Sequence, residues 1–275
     1  VITGKPFLRW VGGKSKVANA VIPHLPKAAT LVEPFVGSGA IFMASSYKHY
    51  ILADVNHDII TLYSRIKEHL NEFMCDSEKI LSMFNDAKDK PAFYYEQREL
   101  FNAIYPSLHK SVLFYFLNKT GFNGVCRYNS KGGFNVPIGS IKKEVHIDKK
   151  RLSMFSEKLN ACDVTLICSD FEDVMINNQN NAAIYCDPPY YPLSTTSNFT
   201  KYHTGDFLID DQERLAKVSR NVSNSGTPVI VSNNDTAEYL YEKYGANIIS
   251  IAESFRCVGG KNAVRKRTSE ILGVF

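Results

Sequence analysis

Ile184-Tyr185-Cys186-Asp187-Pro188-Pro189-Tyr190 is the stretch on which the reading of this chain turns. An apolar run breaks into an acid, two prolines and an aromatic. Proline fixes φ and supplies no amide hydrogen, so the pattern predicts a buried strand ending in a rigid loop. At about 5% usage each for Asp and Pro, Asp-Pro-Pro-aromatic arises by chance in roughly 0.4% of chains this long. Open α/β sheets bind their ligands at the carboxyl ends of the strands. There Asp187 and the Pro188 carbonyl can each accept one hydrogen from a planar exocyclic amine, because Pro189 offers no competing donor. Tyr190 can stack on the attached ring. An aromatic amine is a weak nucleophile, its lone pair being spread into the ring. Two acceptors that localise the pair on nitrogen favour attack on a methyl sulfonium. The bland alternative is a stiff strand exit with no chemistry.

Upstream, Thr30-Leu31-Val32-Glu33-Pro34-Phe35 reads as a buried strand, and Val36-Gly37-Ser38-Gly39-Ala40 as its turn into a helix. The turn lacks the third glycine of the dinucleotide fingerprint, Phe42 standing in its place, so a pyrophosphate is not implied. A second strand, Tyr50-Ile51-Leu52-Ala53, ends at Asp54. An acid at that tip is placed for ribose hydroxyls, the alternative being a cap for a helix from Asn56 to His69. At the start, Arg9-Trp10-Val11-Gly12-Gly13-Lys14 sets the single tryptophan beside two glycines and a lysine, where backbone can approach a ligand closely.

Downstream of Asp54 the α/β rhythm stops, and residues 71 to 122 read as helical without a strand pattern. Asn123-Gly124-Val125-Cys126-Arg127-Tyr128-Asn129, a turn at Ser130 to Gly133, and Phe134-Asn135-Val136-Pro137 read as a β-hairpin. Its amides and Arg127 suit phosphate and base-edge contacts. The rhythm resumes at Val164 to Cys168, ending in Ser169-Asp170, and continues through Asp187, a strand at Pro228 to Val231 running into Ser232-Asn233-Asn234, and apolar strands at Ile248 to Ile251 and Ile271 to Phe275. Tyr191 to Phe207, polar and rich in Ser and Thr, reads as a loop over the site.

With 275 residues, 44% hydrophobic and 22% charged, the chain is a globular protein of one large or two modest domains rather than a disordered one. No apolar run approaches a membrane span and the start lacks a signal-peptide pattern, so a soluble, cytoplasmic protein is expected. The six cysteines show no metal-ligand spacing, and those inside apolar runs, Cys168 and Cys186, read as small buried hydrophobes. No metal is expected. The net charge of +4 is modest, but cations bunch between Lys119 and Lys149 and from Lys261 to Arg267, which suits a polyanionic partner.

Taken in order, Phe7 to Lys14, Val32 to Ala40, Leu52 to Asn56, Asn118 to Gly139, Asp187 to Tyr190 with Asn198-Phe199, and Ser232-Asn233 resemble the Dam family of DNA adenine-N6 methyltransferases. The resemblance implies a seven-stranded, Rossmann-like S-adenosyl-L-methionine (AdoMet) methyltransferase fold, residues 1–56 and 146–275, with a helical and β-hairpin recognition domain inserted at 57–145. It implies AdoMet contacts from Trp10, Lys14, Asp54 and Asp187, with Phe35, Gly37 and Asp170 nearby. The target adenine, within GATC of double-stranded DNA, would flip into a catalytic pocket of Asp187, Pro188, Pro189 and Tyr190. DNA contacts are implied for Arg9, Asn123, Val125, Arg127, Asn129, Pro137 and Lys142, and no protein partner is implied. Arg9 stands where the family often has Lys, and Ser140-Ile141 where it often has a basic residue and Tyr. The rival readings are another exocyclic amine, such as cytosine N4, and a DNA-binding relative without activity.

Overall fold

The apolar runs pair as one sheet. Its strands are β1 (Thr30–Glu33), β2 (His49–Asp54), β3 (Asp163–Cys168), β4 (Ala182–Cys186), β5 (Val229–Asn234), β6 (Asn247–Cys257) and β7 (Arg265–Val274). A computed structural model describes residues 4–190, 207–257 and 265–275. The expected loop from Tyr191 to residue 206, with Asn198-Phe199, and the basic stretch from Lys261 to residue 264 lie outside the described residues.

The sheet has seven strands in the order β3-β2-β1-β4-β5-β7-β6. The first five in that order are parallel, and β7 runs antiparallel to both neighbours. This is the Rossmann-like arrangement expected of the chain. Side chains alternate across a strand, so neighbours serve opposite faces. Leu31, Tyr185, Ile230 and Leu272 enter one core, whereas Val32, Ile184, Val231 and Ile271 enter another. The continuous apolar reading of the strands follows from burial on both faces.

The helices are α1 (Ala18–Val21), α2 (Ala40–Ala44), α3 (His57–Glu68), α4 (Leu70–Asp86), α5 (Lys90–Ala103), α6 (Leu108–Thr120), α7 (Lys149–Ala161), α8 (Phe171–Asn177), α9 (Ile209–Asn224) and α10 (Glu238–Lys243). Asn56, Asp89, Ser107, Asp148 and Asp170 cap α3, α5, α6, α7 and α8 with side-chain acceptors. The helix cap after β2 is therefore Asn56, not Asp54. Every side chain from Ser111 to Asn118 is buried, which makes α6 an axis packed against α3, α4 and α5. Helix α3 also packs on β2, β3 and α7. One core cluster thus runs from Leu31 and Tyr50 of the sheet through Tyr63 to Phe84, Phe116 and Phe134 of the stretch between β2 and β3.

Two expectations need correction. Residues 121 to 138 double back, but as an irregular loop with isolated bridges at Gly121–Ile138 and Tyr128–Phe134 rather than as paired strands. Backbone bonds from the Asn129 amide to the Gly133 carbonyl at 2.8 Å and from the Asn135 amide to the Arg127 carbonyl at 3.0 Å keep the tip of the expected hairpin, and Asn129 Oδ1 accepts from the Lys131 and Gly133 amides at 2.9 and 3.0 Å. Cys168 is exposed rather than buried, because it ends β3, an edge strand that is exposed along much of its length. Cys186, on a central strand, is buried as expected.

Candidate active site

Parallel strands deliver their last residues to one edge: Glu33 from β1, Asp54 from β2, Asn234 from β5, and Asp187 one step beyond β4. Because β7 is antiparallel, it brings Glu270 to the same edge, opposite Asn234.

The glycine turn is locked by that edge. Asp54 accepts from the Gly37 amide at 3.0 Å and from the Asn56 amide at 2.9 Å. The Tyr63 hydroxyl donates to the Gly37 carbonyl at 2.5 Å. Gly37 has φ of 46°, and a Cβ there would stand 2.8 Å from the Trp10 Nε1. Only glycine both adopts that backbone and lets the indole close on the turn. Gly12 differs: its φ is 74° and a Cβ would meet nothing within 4 Å. Trp10, Gly37 and Asp54 therefore come together from three segments, whereas Gly12 makes no such contact.

Beside this turn lies a buried ion cluster. Lys14, 2% exposed, places Nζ 2.5 Å from Asp187 Oδ1 and 3.0 Å from Glu270 Oε1, and donates to the Tyr190 hydroxyl at 2.7 Å. Those contacts match the three donors of an ammonium. The Tyr190 hydroxyl donates in turn to Glu270 Oε2 at 2.6 Å, and the Ser232 hydroxyl donates to Glu270 Oε1 at 2.8 Å. Burial works against the Lys14 charge, but Asp187, followed by Tyr190, Tyr185 and Glu270, outweighs it and holds the ammonium well above its usual range. Burial also raises Tyr190, which keeps its hydroxyl a donor. Asp187 retains 22% side-chain exposure, against 2% for Lys14, so the acid is the member a ligand can reach. The strand-exit loop is held from behind: Gln212 of α9, fully buried, donates to the Pro189 carbonyl at 2.6 Å, and its oxygen accepts from Asn233 at 3.3 Å.

The remaining expected residues divide. Phe35 stacks on Phe171 with ring centroids 5.3 Å apart. Asp170 takes both guanidinium nitrogens of Arg214, at 2.7 and 3.0 Å, and caps α8 besides. These Arg214 bonds come first among the causes that hold its carboxyl below the usual range. From α6, Asn118 accepts from the Arg9 amide at 3.0 Å and donates to the Arg9 carbonyl at 2.8 Å and the Gly124 carbonyl at 3.3 Å. It joins the N-terminal segment to the irregular loop. The Arg9 guanidinium donates to the Lys119 carbonyl at 3.1 Å. Burial first, and Arg9 second, lower the Lys119 ammonium. Arg127 lies on Asn135, with Nε 2.8 Å from the side-chain oxygen and an Nη 3.2 Å from the carbonyl. Two of its five donors are so used, and three remain for a base edge. Asn123 has φ of 53°, Val125 is half-buried, the Pro137 carbonyl accepts from Phe122, and Lys142 is exposed. Ile141 packs against the core.

The family model described as D12 class N6 adenine-specific DNA methyltransferase matches residues 10–256. The chain belongs to that family. It is 37% identical over 273 residues to the DNA adenine methylase of Escherichia coli (strain K12), covering 98% of this chain and 95% of the relative. It is likewise 37% identical over 272 residues to the DNA adenine methylases of Serratia marcescens, covering 98% of both chains, and of Vibrio cholerae (strain O395), covering 98% of this chain and 96% of the relative. The protein is thus an adenine-specific DNA methyltransferase. Sequence reasoning about this methyltransferase missed Glu270, Gln212 and the Asn56 cap. A lone acid entering the apolar run Ile271-Leu272 was the available signal for Glu270, since a charge in a buried strand must find partners.

Proposed function

We propose that the methyltransferase takes its methyl group from AdoMet and delivers it to N6 of an adenine flipped out of double-stranded DNA, within GATC. The observation that carries this reading is the meeting of the Asp187–Tyr190 loop with Lys14 beside the turn formed by Trp10, Gly37 and Asp54. The chemistry of the edge fits the donor. Asp54, Asp187 and Glu270 outnumber Lys14 there, which suits ribose hydroxyls and a cationic ligand, and the glycines leave room for it. Trp10, Gly37 and Asp54 would hold the nucleoside part, and Lys14 and Asp187 the rest. Bound there, AdoMet supplies an electrophilic methyl carbon on a sulfonium.

The protein's own groups act on the amine. Asp187 and the Pro188 carbonyl accept the two N6 hydrogens and turn the lone pair outward. Gln212 fixes the neighbouring Pro189 peptide, which keeps the Pro188 carbonyl aimed. Tyr190 offers its ring to the adenine while its hydroxyl stays anchored on Glu270. The inserted segment 57–145 supplies recognition: Arg127, preset by Asn135, reads a guanine edge, and Lys119 and Lys142, joined by Arg9 of the N-terminal segment, meet phosphates. Phe35 and Asp170 border the site through Phe171. The test is to expose unmethylated duplex DNA to the protein and methyl-labelled AdoMet, then map the methylated bases. Label on adenine N6 of GATC is expected. Label on cytosine, or on adenines regardless of context, would overturn the substrate or the site reading respectively.

A further inference from the structure

Glu270 is 5% exposed, and its carboxylate gathers three donors: Tyr190 at 2.6 Å, Ser232 at 2.8 Å and Lys14 at 3.0 Å. Lys14 is the group it shares with Asp187, whose Oδ1 stands 2.5 Å from the same Nζ. This sharing bears on how Asp187 can work. To accept a hydrogen from an exocyclic amine at full strength, Asp187 has to loosen its hold on the ammonium. A buried ammonium left without a counter-ion is strongly disfavoured. A second carboxylate already within hydrogen-bond reach removes that obstacle.

We propose that Glu270 is a positioning residue for methyl transfer: it is the alternate counter-ion of Lys14 and the anchor of the Tyr190 hydroxyl, so that Asp187 exchanges the lysine for the adenine amine. The proposal rests on the reading that Asp187 accepts from N6. The charge count agrees with it. Lys14, Asp187 and Glu270 together carry one net negative charge, which complements the positive charge that grows on the amine nitrogen as its lone pair is shared. With a neutral residue at position 270 the cluster would be a closed Lys14–Asp187 pair, and the acid would be bound more firmly to lysine than to substrate. The Tyr190 hydroxyl, donating to Glu270 and accepting from Lys14, keeps the ring in place throughout the exchange.

Glu270→Gln tests the idea, because it keeps the size of the side chain and, in the Oε1 position that both Tyr190 and Ser232 reach at 2.9 and 2.8 Å, an acceptor oxygen, while removing the charge. At saturating AdoMet and unmethylated duplex, its single-turnover rate is expected to fall at least about tenfold, with duplex affinity within about threefold and the fluorescence change of a 2-aminopurine target retained. Because Glu270 acts through Lys14, the double variant Lys14→Gln/Glu270→Gln should be no slower than Lys14→Gln alone. The double variant also removes both buried charges together, so it serves where the single variant does not fold. A Glu270→Gln rate within about twofold of the parent overturns the proposal, as does a double-variant loss equal to the product of the single losses. Asp187→Ala run alongside separates the failures. If it retains activity, the site reading itself is wrong; if it is inactive while Glu270→Gln is fully active, only the role of Glu270 falls.

Discussion

Glu33 closes β1 with a buried carboxyl whose Oε1 has no hydrogen-bond partner among the described residues. Burial first, and Asp187 second, push it up from 4.5 to about 8, against the pull of Lys158. In the window between those values the folded chain keeps a proton that the unfolded chain releases. The stabilisation is therefore complete below the lower value and is lost as pH rises through the higher one. Glu33→Gln imitates the protonated form and should escape that loss. Its Tm, relative to the parent, should gain at least about 3 °C between pH ~5 and pH ~8.5, given about 2 to 4 °C per kcal/mol for a chain of this size. A difference that stays constant with pH, measured by calorimetry, would show that Glu33 does not titrate in that window. Asp187 sits on the same edge with a different task. If it accepts from the amine, its bond strengthens as nitrogen becomes positive, so its loss should damage the transition state more than the ground state. Asp187→Ala is expected to lose about a thousandfold or more in single-turnover rate at saturating AdoMet, with DNA affinity within about tenfold of the parent. Near-parental turnover would return the Asp-Pro-Pro-Tyr loop to a structural role.

Among the elements, α9 and the strand-exit loop depend on each other. Gln212 joins the Pro189 carbonyl to Asn233, and Asn233 continues to the Tyr241 hydroxyl at 2.8 Å. Gln212→Leu keeps the bulk but leaves the carbonyl and one amide bond unmade. Each orphaned polar group costs about 1–3 kcal/mol, so denaturant unfolding should show a loss within that range or somewhat above it. A neutral substitution would mean that water replaces the amide. The contrast between this chain of bonds and the strands explains what sequence could reveal. The inner parallel strands are buried on both faces, so β2, β4 and β5 read as apolar runs with an acid or amide at the tip, and Asp54, Asp187 and Asn234 were legible from position alone. The Asp-Pro-Pro-Tyr loop was legible because proline constrains the backbone without help from elsewhere. Glu270 and Gln212 were not, because their partners lie 80 and 23 residues away in sequence. Nor was the full course of residues 121 to 138, where backbone pairing holds only around the turn and Asn129 takes the Lys131 and Gly133 amides within it.

Across the whole molecule, two cores on the two faces of one sheet hold the carboxyl edge, and one of them extends without a break into the helices between β2 and β3. The position of the irregular loop is thereby referred to the same frame as Asp187. Asn118 adds a local tie between Arg9 and Gly124. Charge follows this geometry more than the net value of +4 suggests. Burial first, and the nearby Arg9 second, depress Lys119, and neither Arg9 nor Lys119 forms an ion pair among the described residues. Such a like-charged pair is relieved by a phosphate, whereas Arg127 is steered by Asn135 with three donors left over. The two groups should therefore separate in their effects on DNA. Lys119→Ala, like Lys142→Ala, is expected to weaken cognate and random duplexes alike and to reduce the slope of log affinity against log salt by about 1. Arg127→Ala should leave that slope nearly unchanged while removing about 1–3 kcal/mol of discrimination at one base pair of the site. Titrations of GATC and single-substituted duplexes over a range of salt would measure both quantities. Equal weakening of all duplexes by Arg127→Ala would move that residue to the phosphate contacts and leave the reading of guanine to another part of the loop.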